Sequence, residues 1–235
     1  AAPPAQLAIV ERDLKTVLSK YPDTNIARLA HIALLEFYIT NKKFKEAIDL
    51  ANTTAKTYSE DRDILSTIQF LKGTIYEKEE RWDKALEEFK VLEEKYPNTK
   101  LGMQIPIYIG KYYESKGLDR EAKGAYQDAA AFYTKMEKEY SGKMLGYTAS
   151  ILLIQTYLSL NDYESAGRLL EKTLHKYVSG MSFGQLLPQV DNIYVKNLNK
   201  PEKAIEIYNY MISQTKSSRI KKFLNKKIEA LKTAS

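Results

Sequence analysis

The sequence predicts an all-α fold: an α-solenoid of antiparallel helix pairs, about five repeats long, with an N-terminal half repeat and a C-terminal capping helix. Three observations predict it. Five alanines, Ala47, Ala85, Ala122, Ala166 and Ala204, recur at spacings of 38, 37, 44 and 38 residues. Four of them follow a tyrosine by nine residues (Tyr38, Tyr76, Tyr113, Tyr157) and precede another by eleven (Tyr58, Tyr96, Tyr133, Tyr177). Short polar turns divide each repeat into two helix-length segments, and short connections force neighbouring helices antiparallel.

Each alanine stands where the two helices of a pair cross, because a side chain larger than methyl would hold the axes apart beyond the ~8 to 10 Å of close packing. Gly73 and Gly110, twelve residues before their alanines, do the same on the facing helix. Leu35, Ile154 and Asn192 replace glycine in the other units, where looser packing is expected.

Along the chain, residues 1–4 read as linker, and residues 5–24 as the second helix of a half repeat. Repeats follow at 25–60, 61–99, 100–142, 143–180 and 181–216, and a capping helix at 217–235 closes a single array. The turns fall at Asn41-Lys42-Lys43, Glu80-Arg81, Lys116-Gly117, Asn161-Asp162 and Asn199-Lys200-Pro201. A helix from Asp119 to about Tyr140 accounts for the longest spacing and is expected to protrude at its end. Pro106 and Pro188, each sixteen residues before its alanine, are expected to mark late helix starts, since proline inside a helix costs roughly 3 kcal/mol. In the final segment Ile220, Phe223, Leu224, Ile228 and Leu231 share one helical face.

The second unit carries Gly73, Tyr76, Trp82, Ala85, Phe89 and Pro97, and in each of those places it resembles the tetratricopeptide repeat (TPR) consensus. The resemblance implies a right-handed TPR-type solenoid that binds a protein or peptide in a concave groove lined by the first helices. The positions that line it map to Ile32, Glu36, Phe70, Thr74, Glu77, Lys78, Ile107, Lys111, Glu114, Ile151 and Gln155, with Gln189 and Ile193 in the fifth unit. The row Ile32, Phe70, Ile107, Ile151 is apolar, which suits an apolar helix or extended segment rather than a terminal carboxylate. The same row serves equally as core between stacked repeats, and at this point both readings stand. Lys20-Tyr21-Pro22-Asp23-Thr24 and Lys95-Tyr96-Pro97-Asn98-Thr99 also resemble the helix-closing phrase of bacterial cell-envelope TPR proteins, of the outer-membrane assembly lipoprotein, Tol-Pal division coordinator and translocon-associated types. That implies a periplasmic or membrane-associated scaffold. The alternative is a cytosolic adaptor or regulatory domain, self-associating or not, with a basic C-terminal docking helix.

Composition narrows the chemistry. Residues 201–235 hold eight Lys/Arg against three Asp/Glu, leaving 28 basic and 27 acidic residues before them, so the body is nearly neutral and the tail basic. A nucleic-acid surface along the whole chain is thereby disfavoured. The tail residues Lys221, Lys222, Lys226 and Lys227 admit three readings: a solvated cap, an anionic membrane contact or a dock for an acidic partner. Absence of cysteine removes disulfides and thiolate metal sites. No apolar run reaches the ~18 residues of a bilayer span. The Ala1-Ala2-Pro3-Pro4 start leads to the expectation of an upstream signal peptide, lipid anchor or transmembrane helix.

No catalytic constellation is expected. His31 reads as a helix-face residue and His175 as a helix-end residue, with no nucleophile, base or metal ligand set beside either. Gly142-Lys143 lacks the upstream glycine and following Ser or Thr of a phosphate loop. Glu77, Glu79 and Glu80 alternate with Lys78 and Arg81 and read as a solvated helix end. No cofactor and no metal is expected, and the protein is read as a non-enzyme.

Overall fold

In the computed structural model, residues 4–22, 24–177 and 183–234 are described. Every regular element among them is helical. The helices are α1 (Pro4–Lys20), α2 (Asn25–Thr40), α3 (Phe44–Thr57), α4 (Arg62–Lys78), α5 (Trp82–Lys95), α6 (Lys100–Ser115), α7 (Asp119–Glu139), α8 (Met144–Ser159), α9 (Tyr163–Tyr177), α10 (Leu187–Val190), α11 (Pro201–Gln214) and α12 (Ser218–Ala234). Between α10 and α11 lies a π-helix, Asp191–Asn197. The chain divides into two compact units, Ala1–Ile105 and Pro106–Ser235.

In the first unit, α1 packs on α2, α2 on α3, α3 on α4 and α4 on α5. Its core gathers Leu34, Leu35, Tyr38, Ile39, Ala47, Ala51, Ile64, Ile68, Leu71 and Ile75. In the second unit, α7 packs on α8, α8 on α9, α9 on the π-helix, and α11 on α12. Its core runs from Tyr147 and Ile151 through Ala166, Leu170, Val190 and Tyr208 to Leu224 and Ile228. Removing each such leucine, isoleucine or valine side chain from water contributes about 1.5 to 3 kcal/mol.

All five repeat alanines are buried, and the residue five positions before each, Lys42, Glu80, Gly117, Asn161 or Asn199, has positive φ between 50° and 69°. This is the left-handed residue that ends a helix. In the first four turns the following N–H reaches back to the frame tyrosine: Lys43 to the Tyr38 carbonyl at 2.8 Å, Arg81 to Tyr76 at 2.9 Å, Leu118 to Tyr113 at 3.0 Å and Asp162 to Tyr157 at 2.9 Å. The fifth turn differs by one residue, Lys200 bonding to Tyr194 at 2.6 Å. Tyr194 precedes Ala204 by ten residues instead of nine, and the π-helix takes up the extra residue. The frame tyrosine of the fifth unit is therefore Tyr194, hidden from a strict nine-residue count.

Phe89, Tyr126 and Tyr208 each stand four residues after an alanine; the first two lie over Gly73 and Gly110, and the third meets Asp191. In the fifth unit the contact is thus a hydrogen bond to a side chain, Tyr208 donating to Asp191. The looser packing expected at Leu35 and Ile154 is not found: they are 0% and 1% exposed. Small residues fall on the other helix in the first unit, where Ala47 and Ala51 complete the same core as Leu35.

Two further expectations are corrected. Pro106 lies inside α6, whose first helical residue is Lys100, so that helix does not start late. Six residues of the helix precede the proline, and the boundary between the compact units falls immediately before it. Pro188, by contrast, stands in the first turn of α10. The end of α7 does not protrude: Tyr133, Met136 and Glu137 are buried, and Lys176 of α9 reaches the Glu137 carboxylate at 2.8 Å.

Candidate partner-binding surface

In the first unit the candidate surface is built on α2 and α4. Thr24 caps α2, its hydroxyl oxygen accepting from the Ala27 N–H at 3.1 Å. Asp61 caps α4 by accepting from the N–H groups of Asp63 and Ile64, and it also binds the Arg28 guanidinium at 2.9 Å. One carboxylate thus terminates one helix and ties down its neighbour. The Ile64 N–H, foremost among its partners, holds the Asp61 carboxyl below the ordinary aspartate range.

Of the residues mapped to this surface, Glu36 and Lys78 are exposed, while Ile32, Phe70, Thr74 and Glu77 are half-buried. Ile32 and Phe70 lean on the core of the unit, and the Thr74 hydroxyl donates to the Phe70 carbonyl at 3.0 Å. The most open apolar side chains are two the sequence mapping missed. Ile26 is 59% exposed and Leu29 66%. A signal for them exists: Arg28 and Glu36 are the charged residues of α2, so the helix is apolar on the side turned to water as well as on the side of Ala27, Ala30 and Leu34.

In the second unit Lys111 and Glu114 are exposed, Gln155 is half-buried, and Ile107 and Ile151 are only 5% and 8% exposed. Those two isoleucines are core side chains. Glu114 is engaged by its own repeat, accepting from the Tyr126 hydroxyl at 2.6 Å. Burial, and then this carboxylate, push the Tyr126 phenol up to about 12. Gln189 is half-buried and Ile193 is buried.

Tyrosine-to-carboxylate bonds recur as struts between helices. Tyr38 donates to Glu11 at 3.0 Å, and Lys15 and Lys43 bind the same carboxylate at 2.7 and 2.6 Å, fastening α1 to the repeat that follows. The Lys15 ammonium, with Lys43 and Tyr38, lowers the Glu11 carboxyl to about 2. Tyr194 donates to Glu171 at 2.6 Å, and Lys203 binds Glu171 and Glu206 at 3.0 Å each. Around them Glu164, Arg168, Lys200 and Glu202 line a cleft of about 420 Å³, in which Lys200 pairs with Glu164 at 2.7 Å.

The basic tail is divided by the structure. Lys227 binds the Asp191 carboxylate, which also accepts from the Tyr208 hydroxyl, so this lysine clasps α12 to the π-helix. Lys221, Lys222 and Lys226 are exposed. The histidines hold structural contacts. His31 Nδ1 lies 3.0 Å from the Thr54 hydroxyl and its ring meets Tyr58 edge-on, and burial lowers its pKa. His175 packs edge-on against Tyr210 at 4.4 Å. Among the described residues no group of three or more His, Cys, Asp or Glu is placed to hold a metal ion, and no helix is long and apolar enough to cross a membrane.

Residues 68–99, which span most of α4 and all of α5, match the tetratricopeptide repeat. No curated protein matches the chain. Among solved structures, BtubC (BKLC) from P. vanneervenii is similar with a TM-score of 0.50 at 18% identity, over 94% of this chain and 90% of that one. A tetratricopeptide repeat protein from Parabacteroides merdae aligns over 97% of this chain and 93% of that one, at 13% identity and a TM-score of 0.39. At such identity the likeness to BtubC speaks for the fold alone. Residues 68–99 thus carry a tetratricopeptide repeat, and the fold of the chain is all-α with helix pairs of the tetratricopeptide type.

Proposed function

We propose that the chain is a non-enzymatic scaffold that receives a partner polypeptide on the first-helix face of the Ala1–Ile105 unit, as part of a bacterial cell-envelope protein in the periplasm or at the membrane. The observation that carries the binding face is Leu29, 66% exposed beside Ile26 on a capped, well-packed helix. Apolar surface held open on a rigid element is what a partner covers. Half-buried Ile32, three residues after Leu29 on α2, continues the apolar strip along the helix, and exposed Glu36 of α2 and Lys78 of α4 supply charges of both signs on the two first helices. Charge of both signs suits an amphipathic or extended segment better than a chain terminus. The cell-envelope setting draws support from the Lys-Tyr-Pro-(Asp/Asn)-Thr phrases.

The test is capture of partner by the chain against the Leu29→Glu variant in the native host, with fractionation of the native gene product. Capture lost in the variant at unchanged melting temperature supports the face; equal capture overturns it. Recovery in the cytosolic fraction overturns the envelope setting and favours a cytosolic adaptor.

A further inference from the structure

The helix α12 carries six basic residues, Arg219, Lys221, Lys222, Lys226, Lys227 and Lys232, against one acidic, Glu229. Its apolar side is used: Leu224 and Ile228 are 0% and 7% exposed and belong to the core of the second unit. Phe223, which its spacing put on that same face, instead points outward, with 48% of its surface exposed. By helical position it is ringed by cations, Arg219 four residues before, Lys222 next to it, and Lys226 and Lys227 three and four residues after. The Lys227 ammonium sits 5.5 Å from the Phe223 ring centre and also binds the Asp191 carboxylate. None of Arg219, Lys221, Lys222, Lys226 and Lys232 forms an ion pair among the described residues, whereas Lys15, Lys43, Lys176, Lys200, Lys203 and Lys227 all do.

We infer that the outer face of α12 is a docking surface for an anionic lipid bilayer, with Phe223 entering the headgroup region and the surrounding lysines meeting lipid phosphates and carboxylates. Three features select a membrane over other polyanions. The cations are nearly all lysine, a hydrated point charge suited to a diffuse anionic plane; bidentate recognition of single carboxylates or phosphates favours arginine. All but Lys227 are exposed, and they spread over the outside of a helix. Single-stranded nucleic acid is held by successive aromatics along a charged channel, and α12 has one aromatic. A basic cluster around an exposed apolar aromatic is what the charged face of a membrane attracts. Because the first 200 residues are nearly neutral, the field of the molecule turns this end toward an anionic plane. The inference is independent of the face proposed on α2.

The whole chain is mixed with vesicles of phosphatidylcholine alone or with a third phosphatidylserine, and sedimented. Binding to the anionic vesicles only is expected, falling away near 0.5 M salt, where screening shortens to a few Å. The triple variant Lys221→Gln, Lys222→Gln, Lys226→Gln is expected to lose about a hundredfold in partitioning, at roughly fivefold per cation. These side chains are exposed, so its melting temperature is expected to match the parent. Phe223→Trp is expected to show a blue-shifted emission on the anionic vesicles. Absence of binding, binding that the triple variant retains, or an unshifted tryptophan overturns the inference. So does tighter binding to duplex DNA or to polyglutamate at equal anionic charge, which would assign the face to another polyanion.

Discussion

Gly73 lies against the ring of Phe89 so closely that a Cβ at residue 73 would overlap the ring carbons. Phe89 is 0% exposed and its ring also meets Phe70 and Trp82 at 6.0 and 5.9 Å, so it has little room to yield. Gly110 and Tyr126 repeat the relationship in the second unit. Gly73→Ala is therefore expected to destabilise by about 1 to 3 kcal/mol despite the better helix propensity of alanine. Gly124 sits in α7 with nothing within 4 Å of its added Cβ, and Gly124→Ala is expected to stabilise by about 0.5 to 1 kcal/mol. Urea titration of the two variants checks the opposite signs, and equal signs would refute the packing account.

The left-handed turn residues differ in what they lose to strain. Glu80 holds a φ of 60° with a full side chain, whereas Gly117 holds 69° without one. Glu80→Gly is expected to raise stability by about 1 kcal/mol, since a non-glycine residue is penalised by roughly 1 to 2 kcal/mol there and glycine returns part of that as unfolded-state entropy. Thermal melting of this variant beside Gly117→Ala, which is expected to lose stability, reads the effect directly.

Deleting the exposed Lys196 is expected to leave a folded chain of equal or higher melting temperature. The deletion places Tyr194 nine residues before the alanine, as in the other repeats, and lets an α-turn replace the π-turn. Deleting exposed Lys111 from α6, which has no extra residue to give up, is expected to rotate half the helix out of register and unfold its unit. Circular dichroism of both deletions distinguishes an absorbed insertion from a required one.

Acid is expected to weaken the first unit in two stages. Burial holds the His31 pKa below 6.5, so the folded ring resists a proton that the unfolded chain accepts. Its contribution is complete above pH 6.5 and declines as pH falls below that. Glu11, lowered from 4.5 to about 2 by Lys15, Lys43 and Tyr38, contributes fully above pH 4.5 and loses its contribution as pH falls through about 2. Hydrogen exchange in α1 and α2 across this range is expected to accelerate at each stage. In His31→Phe the first stage is expected to vanish and the second to remain; a flat profile in the parent would contradict both assignments.

Leu29 and Ile107 separate surface from core. Ile107→Glu is expected to destabilise by at least about 3 kcal/mol, because an unpaired charge would replace a side chain that is 5% exposed. Leu29→Glu, at 66% exposure, is expected to change stability by less than about 0.5 kcal/mol. Chemical denaturation of the two variants checks the contrast.

The legible part of this protein is the part that depends on neighbours along the chain. Helices, turns and paired small residues follow from alanine and tyrosine spacing, and the left-handed residue lies five places before every repeat alanine, including the four where it is not glycine. Turn bonds and helix caps are made within six residues, so the linear order contains them. The choice between groove and core for Ile32, Phe70, Ile107 and Ile151 was not contained there, because an apolar side chain reads the same whether a neighbouring helix covers it or water does. The tertiary structure also decided that Pro106 stays inside α6, that the end of α7 is covered by α9, and that Lys227 serves Asp191 while Lys221, Lys222 and Lys226 form no ion pair among the described residues. The last two outcomes are set by side chains some tens of residues apart, whose approach depends on how the helices rest on one another and not on the spacing within either.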